Sequence, residues 1–158
     1  MRDIVDVLSV QEVVFTAAFF ILLIAAACRD LREREIPDRF AVAIFAIAAA
    51  GFFLGQEPDI VSRVLGAFVA SVPMLVAAVV RPGAFGGGDI KLMASCGFFI
   101  GAEGTFLSFF YSLLLAAIYG SCRAIYKKES LKDPLAFGPF LAMGICLYFI
   151  MYFIMGCF

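Results

Sequence analysis

Long uncharged blocks alternate with short clusters of charge along the chain. The blocks cover residues 13–28, 40–56, 64–80, 92–102, 104–122 and 134–158. A helix crossing about 30 Å of hydrocarbon needs ~20 apolar residues, with ~17 as a lower bound. Five blocks reach that length once a flanking residue or two is added. The fourth, residues 92–102, does not. The pattern predicts an all-α, polytopic membrane bundle of about six transmembrane helices, folded as a single domain over residues 1–158. Composition points the same way. Hydrophobic residues make up 64% of the chain, charged residues 16%, and the mean hydropathy is +1.03, whereas soluble domains run near half apolar and about a quarter charged.

Charge sets the expected orientation. Arg29, Arg32, Arg34 and Arg39 lie between blocks one and two. Arg81 and Lys91 lie between three and four, and Arg123, Lys127, Lys128 and Lys132 between five and six. Only Arg2 and Arg63 fall on the other side, out of 12 Lys and Arg in all. The positive-inside rule makes the first group cytoplasmic and puts both termini outside. The same rule requires the short fourth block to cross, since otherwise the basic cluster after block five would be outside. It can cross only if its helix starts near Phe85 or Gly86, giving ~18 residues and ~27 Å. Cleavage of residues 21–28 as a lipoprotein signal is disfavoured, because Asp3, Asp6 and Glu12 make the N-terminus acidic where such a signal is basic.

Several chemistries drop out. With 12 Lys and Arg against 13 Asp and Glu, the chain has no net field for nucleic acid. His is absent, so Ser-His-Asp triads, Cys-His dyads and most zinc sites have no imidazole to build on. Cys28, Cys96, Cys122, Cys146 and Cys157 show no CxxC spacing, which suits small apolar residues inside spans rather than a disulfide framework or metal cluster. Acid/base work is left to carboxylates, Tyr, Lys or Cys.

Among 13 acidic residues, two stand out. Asp30 follows the first apolar block directly. Asp89 follows Gly86-Gly87-Gly88 and falls about a turn inside the extended fourth span. Charge within a membrane segment is costly and points to function unless it is shielded. Both acids lie at the same depth on the same side. Two carboxylates held close together cannot both stay ionised, so one holds a proton while the other accepts one. That pair can activate water and protonate a leaving amine. The glycines are expected to admit unusual dihedrals and close approach of a peptide; the plainer reading is a flexible loop with Asp89 as a helix cap. Asp38 is expected to cap the second helix, with Pro37 in its neighbourhood. Lys91 lies two residues past Asp89, on another helix face, where it either reaches lipid phosphates or biases a nearby carboxylate. Glu33, Glu35 and Asp38 either attract a basic peptide or are solvated loop charges. Gly138-Pro139 reads as a bend or close helix approach.

Three segments carry a resemblance. Asp30-Leu31-Arg32-Glu33-Arg34-Glu35-Ile36-Pro37-Asp38 resembles the first motif of type IV prepilin peptidases: Asp, a short spacer, then Ile-Pro and Asn or Asp. Gly86-Gly87-Gly88-Asp89-Ile90-Lys91-Leu92-Met93-Ala94 is similar to their GxGD motif. Phe137-Gly138-Pro139-Phe140 is similar to the segment opening that family's last helix. The resemblance spans essentially the whole chain. It implies that Asp30 and Asp89 are a catalytic pair, with Gly86, Gly87, Gly88, Lys91, Pro37 and Asp38 shaping the site or binding substrate. It further implies a prepilin or pilin-like secretion subunit as substrate, cut at the cytoplasmic face of the inner membrane, with membrane lipids as surroundings and no metal or organic cofactor. Longer members carry a cytoplasmic CxxC domain and also N-methylate the product. This sequence lacks those cysteines and resembles the short, peptidase-only form of tight-adherence (Flp-type) pili. The rival readings are the bifunctional methylating enzyme and a proton-coupled transporter using the two carboxylates. A transporter normally holds such groups near the bilayer midplane, not near one face.

Overall fold

In a computed structural model, residues 10–127 and 136–155 are described. The helices, in chain order, are α1 (Val10–Glu33), α2 (Asp38–Phe53), α3 (Ile60–Val69), α4 (Ser71–Val80), α5 (Gly87–Ile100), α6 (Ala102–Lys127) and α7 (Gly138–Met155). No strand occurs among the described residues. Only Ala70 separates α3 from α4, and the two form one apolar rod, Ile60–Val80, of 21 residues. The protein is thus an all-α membrane bundle of six rods, matching the six uncharged blocks. Val10–Glu33, Ile60–Val80 and Ala102–Arg123 are long and apolar enough to cross a membrane. The chain ends, and Lys128 and Lys132 on which part of the charge asymmetry rests, lie outside the described residues.

The fourth block departs from expectation in length. Helix α5 starts at Gly87, close to the expected Phe85 or Gly86, but has only 14 residues instead of ~18. Its end has a local cause. Gly101 takes φ 87°, in the left-handed region open to glycine, and turns the chain directly into α6. The Ala102 N–H then donates to Ser62 Oγ at 3.1 Å, so α3 caps the start of α6. Helix α5 packs against α2, α3, α4 and α6. A helix enclosed by protein needs neither the length nor the continuous apolarity of a lipid-facing one, which explains the weak hydrophobic signal.

Lipid tails are as apolar as Leu, so helices in a membrane associate through close packing rather than expulsion of water. The bundle shows this in two places. Gly66 of α3 and Gly97 of α5 meet backbone to backbone: a Cβ on Gly66 would collide with Gly97 O, and one on Gly97 would collide with Gly66 O. The interior itself is aromatic and branched. Phe19 of α1 stacks on Phe99 of α5, with ring centroids 4.3 Å apart, within a cluster that includes Leu23, Ile44, Leu92 and Ile145.

Arg63, which the charge reading counts as an outer-side basic residue, is buried rather than solvated. It is 2% exposed. Its guanidinium donates to five carbonyls: Pro58 O at 2.7 Å, Gln56 O and Glu57 O at 3.0 Å, Ala48 O at 3.1 Å and Phe98 O at 3.3 Å. These acceptors lie near the ends of α2 and α5 and along the connection into α3. The planar five-donor fork of arginine suits that task; a lysine ammonium has three donors and no fork.

Candidate active site

At the end of the bundle opposite Arg63, three elements meet around a cavity of about 190 Å³. The last turn of α1 supplies Asp30, and the residue just past its end supplies Arg34. The Arg81-to-Gly86 connection and first turn of α5 supply Phe85, Gly86 and Asp89, and the start of α7 supplies Phe137. Phe85 and Phe137 close one wall edge to face, with centroids 5.0 Å apart. Asp30 and Asp89 are the buried carboxylates among the described residues, 5% and 7% exposed. Sequence separation does not keep them apart: both line the same cavity.

Each acid is anchored by one backbone donor. Asp30 Oδ2 accepts the Gly138 N–H at 2.8 Å, across 108 residues. The positive end of α7 thereby faces a carboxylate, a favourable arrangement of dipole and charge. The approach is close: a Cβ on Gly138 would lie 2.8 Å from Asp30 Oδ2, so any larger residue there would displace the carboxylate. Gly138 makes the close helix approach that is one of its two expected roles, and beyond that its N–H holds Asp30. Asp89 is the third residue of α5, and its Oδ2 reaches back to the Gly86 N–H at 3.3 Å, the return half of a capping box. Its Oδ1 is buried with no hydrogen-bond partner. A buried carboxylate oxygen left unpaired is costly, and is available to a further donor.

The glycine triplet works differently from expectation. None of Gly86, Gly87 and Gly88 takes a positive φ, and Gly86 sits at an ordinary φ of −73°. Their value is proximity. A Cβ on Gly88 would fall 2.8 Å from Ile36 O, so the start of α5 lies against the stretch preceding α2. A Cβ on Gly87 would meet nothing. Asp38 is likewise corrected. Pro37, extended at ψ 138°, is the residue before α2, no side chain caps that helix, and Asp38 is its first helical residue. Instead of capping, Asp38 Oδ2 accepts a hydrogen bond from Lys91 Nζ at 2.7 Å. Glu33 pairs with Arg29 one turn earlier, at 2.8 Å.

Residue-by-residue reading gives Arg34, Phe85 and Phe137 no place in the site and does not find Gly138 as the donor to Asp30. Arg34 ends α1 at φ 53°, its N–H donating to Asp30 O at 2.9 Å, which leaves an exposed cation at the cavity mouth. Two motif segments already contain Arg34, Phe137 and Gly138, but their contacts depend on the tertiary fold. A larger cavity of about 420 Å³ lies at the Arg63 end, where Glu12, Glu57 and Glu103 are among its lining. None of those three is buried, so the larger space lacks the desolvated acid pair that distinguishes the smaller one.

Fold and site together define a helical membrane protein with a paired-carboxylate cleft at one end. The comparisons then supply the family. Residues 17–121 match the model of the type IV leader peptidase family, and the chain belongs to it. Curated relatives include the "Prepilin leader peptidase/N-methyltransferase" of Bacillus subtilis, 33% identical over 137 residues that cover 86% of this chain and 55% of the relative. The protein of the same name from Xanthomonas campestris is 28% identical over 77% of this chain and 44% of its own length. The "Type 4 prepilin-like proteins leader peptide-processing enzyme" of Escherichia coli is 32% identical over 77% of this chain and 46% of its own length. The chain spans about half the length of these curated relatives. No solved structure matches it.

Proposed function

We propose that the protein is a membrane aspartic endopeptidase that removes the basic leader from prepilins or pilin-like secretion subunits, with Asp30 and Asp89 as its dyad. The observation that carries this reading is the convergence of two buried aspartates on one cavity, one of them with an unpaired oxygen. In the reaction, one carboxylate takes a proton from a water held between the two. The resulting hydroxide attacks the scissile carbonyl, and the other carboxylic acid gives its proton to the departing amine. The pair shares one proton, so the two groups titrate jointly. Either can begin as base.

The cleft faces the cytoplasm in this reading, because ten of the twelve Lys and Arg in the sequence fall between uncharged blocks one and two, three and four, or five and six. A substrate helix lying in the bilayer then presents only its cytoplasmic end to the acids. The one-sided position of both acids favours hydrolysis over proton transport, which calls for groups nearer the midplane.

The test is incubation of purified protein with a prepilin-like peptide in lipid. A new N-terminus immediately after the leader supports the reading; an uncut peptide in every lipid tried refutes it. Adding S-adenosylmethionine to the same assay addresses the methyltransferase named in two relatives. A product heavier by one methyl group would add that activity, and an unchanged mass would leave a peptidase alone.

A further inference from the structure

The Asp38–Lys91 pair joins residues 53 positions apart, yet both side chains are largely exposed. Pairs of that kind contribute little to stability. Its position is more informative than its strength. Lys91 lies two residues past Asp89 in the first turns of α5, and Asp38 opens α2, whose connection to α1 begins four residues after Asp30. Beside the pair, Gly88 lies against Ile36 O. Beyond the packing of α2 on α5, the start of α5 is therefore joined to the first residue of α2 by an ion pair and to the α1–α2 connection by a backbone contact at Ile36. Neither Asp38 nor Lys91 lines the cavity.

We propose that the Asp38–Lys91 ion pair is a latch that sets the spacing of Asp30 and Asp89, making both partners positioning residues rather than contacts for the substrate. The inference rests on the dyad reading above for its effect on cleavage, but its geometric content stands apart. Opening the latch lets the start of α5 shift relative to the end of α1, and small displacements of reacting groups reduce rate far more than they reduce stability.

Two measurements decide it. In the otherwise native chain, Asp38→Asn and Lys91→Met each lower kcat for the prepilin-like peptide by about fivefold, near the upper limit for an exposed pair, with KM unchanged. The charge-swapped chain carrying Asp38→Lys and Lys91→Asp recovers most of the loss. A rise in KM with kcat intact would overturn the latch and make Asp38 a contact for the basic leader; equal rates in all variants would overturn it too. The second measurement needs no substrate. In full-length protein with its five native cysteines replaced, Asp30→Cys and Asp89→Cys are oxidised in membranes and the rate of disulfide formation is followed. Lys91→Met slows that cross-link and the swap restores it if the latch holds, whereas an unaltered rate refutes it. Wild-type protein that cuts no peptide would sink the peptidase reading alone, and the cross-linking comparison would still decide the latch.

Discussion

Two buried charged groups mark opposite ends of the bundle, and they are finished in opposite ways. Arg63 directs its guanidinium to five carbonyls. Asp30 and Asp89 each receive one backbone N–H, and Asp89 Oδ1 receives none. Removing a charge from water is costly in both places. At Arg63 the cost is offset by hydrogen bonds that tie α2, α3 and α5 together, and the residue serves as a fastener. At the aspartates the compensation is left incomplete beside a cavity, which keeps room for water or a peptide. Degree of satisfaction, more than burial, separates a structural charge from a chemical one here.

Substitutions that exchange the two behaviours test the contrast most strongly. Asp30→Asn or Asp89→Asn should lower peptide cleavage by about 10³-fold or more, within the range for loss of an acid/base group. Thermal stability in detergent should stay within about 1 kcal/mol of wild type, since a neutral amide is easier to bury than a carboxylate. Full cleavage by either variant would remove the dyad. Arg63→Met should do the reverse. Losing the five hydrogen bonds of a buried guanidinium should lower unfolding stability by about 4 kcal/mol, seen as a large drop in melting temperature, while any protein that remains folded keeps its kcat. Unchanged melting would show that Arg63 fastens nothing.

Smaller effects sharpen the boundary between the two ends. Gly97→Ala forces a methyl against Gly66 O and should cost about 1–3 kcal/mol through separation of α3 from α5, read as a lowered melting temperature. Gly138→Ala pushes on the Asp30 carboxylate and should reduce turnover by about tenfold, since misplaced reacting groups lose rate steeply, with a melting shift smaller than that of Gly97→Ala. Equal melting shifts with full turnover in Gly138→Ala would place Gly138 with the packing glycines instead.

Much of this is legible in the sequence, and the parts that are not share a cause. The six rods follow from uncharged blocks because a bilayer demands length and apolarity from each crossing. Asp30 and Asp89 are conspicuous because each stands at the edge of a block, at the same end of its span as the other and beside a run of glycines in the case of Asp89, where a carboxylate is expensive. Arg63 escapes the same logic. It too stands at the edge of its block, but without either of those accompaniments it reads as an ordinary loop cation, and its carbonyl partners carry no side-chain signature. Gly138 is hidden for the same reason: its contribution is an N–H, which nearly every residue possesses. The length of α5 misleads because hydropathy measures contact with lipid, and four neighbouring helices stand in for lipid around it. Asp38 has the composition of a cap but is drawn off by Lys91, a partner chosen by the tertiary fold.

The contact between Gly66 and Gly97 has a mechanical corollary. With main chains touching and no side chain between them, α3 and α5 act as a stator, and Asp89 is mounted on it. Asp30 rides instead on α1, tethered through Gly138 to α7. Helix α7 is seated on α6 by the same device, with Gly144 against Ser108 O, so the gap between the acids is held between two glycine-seated helix pairs rather than left to a loose arm.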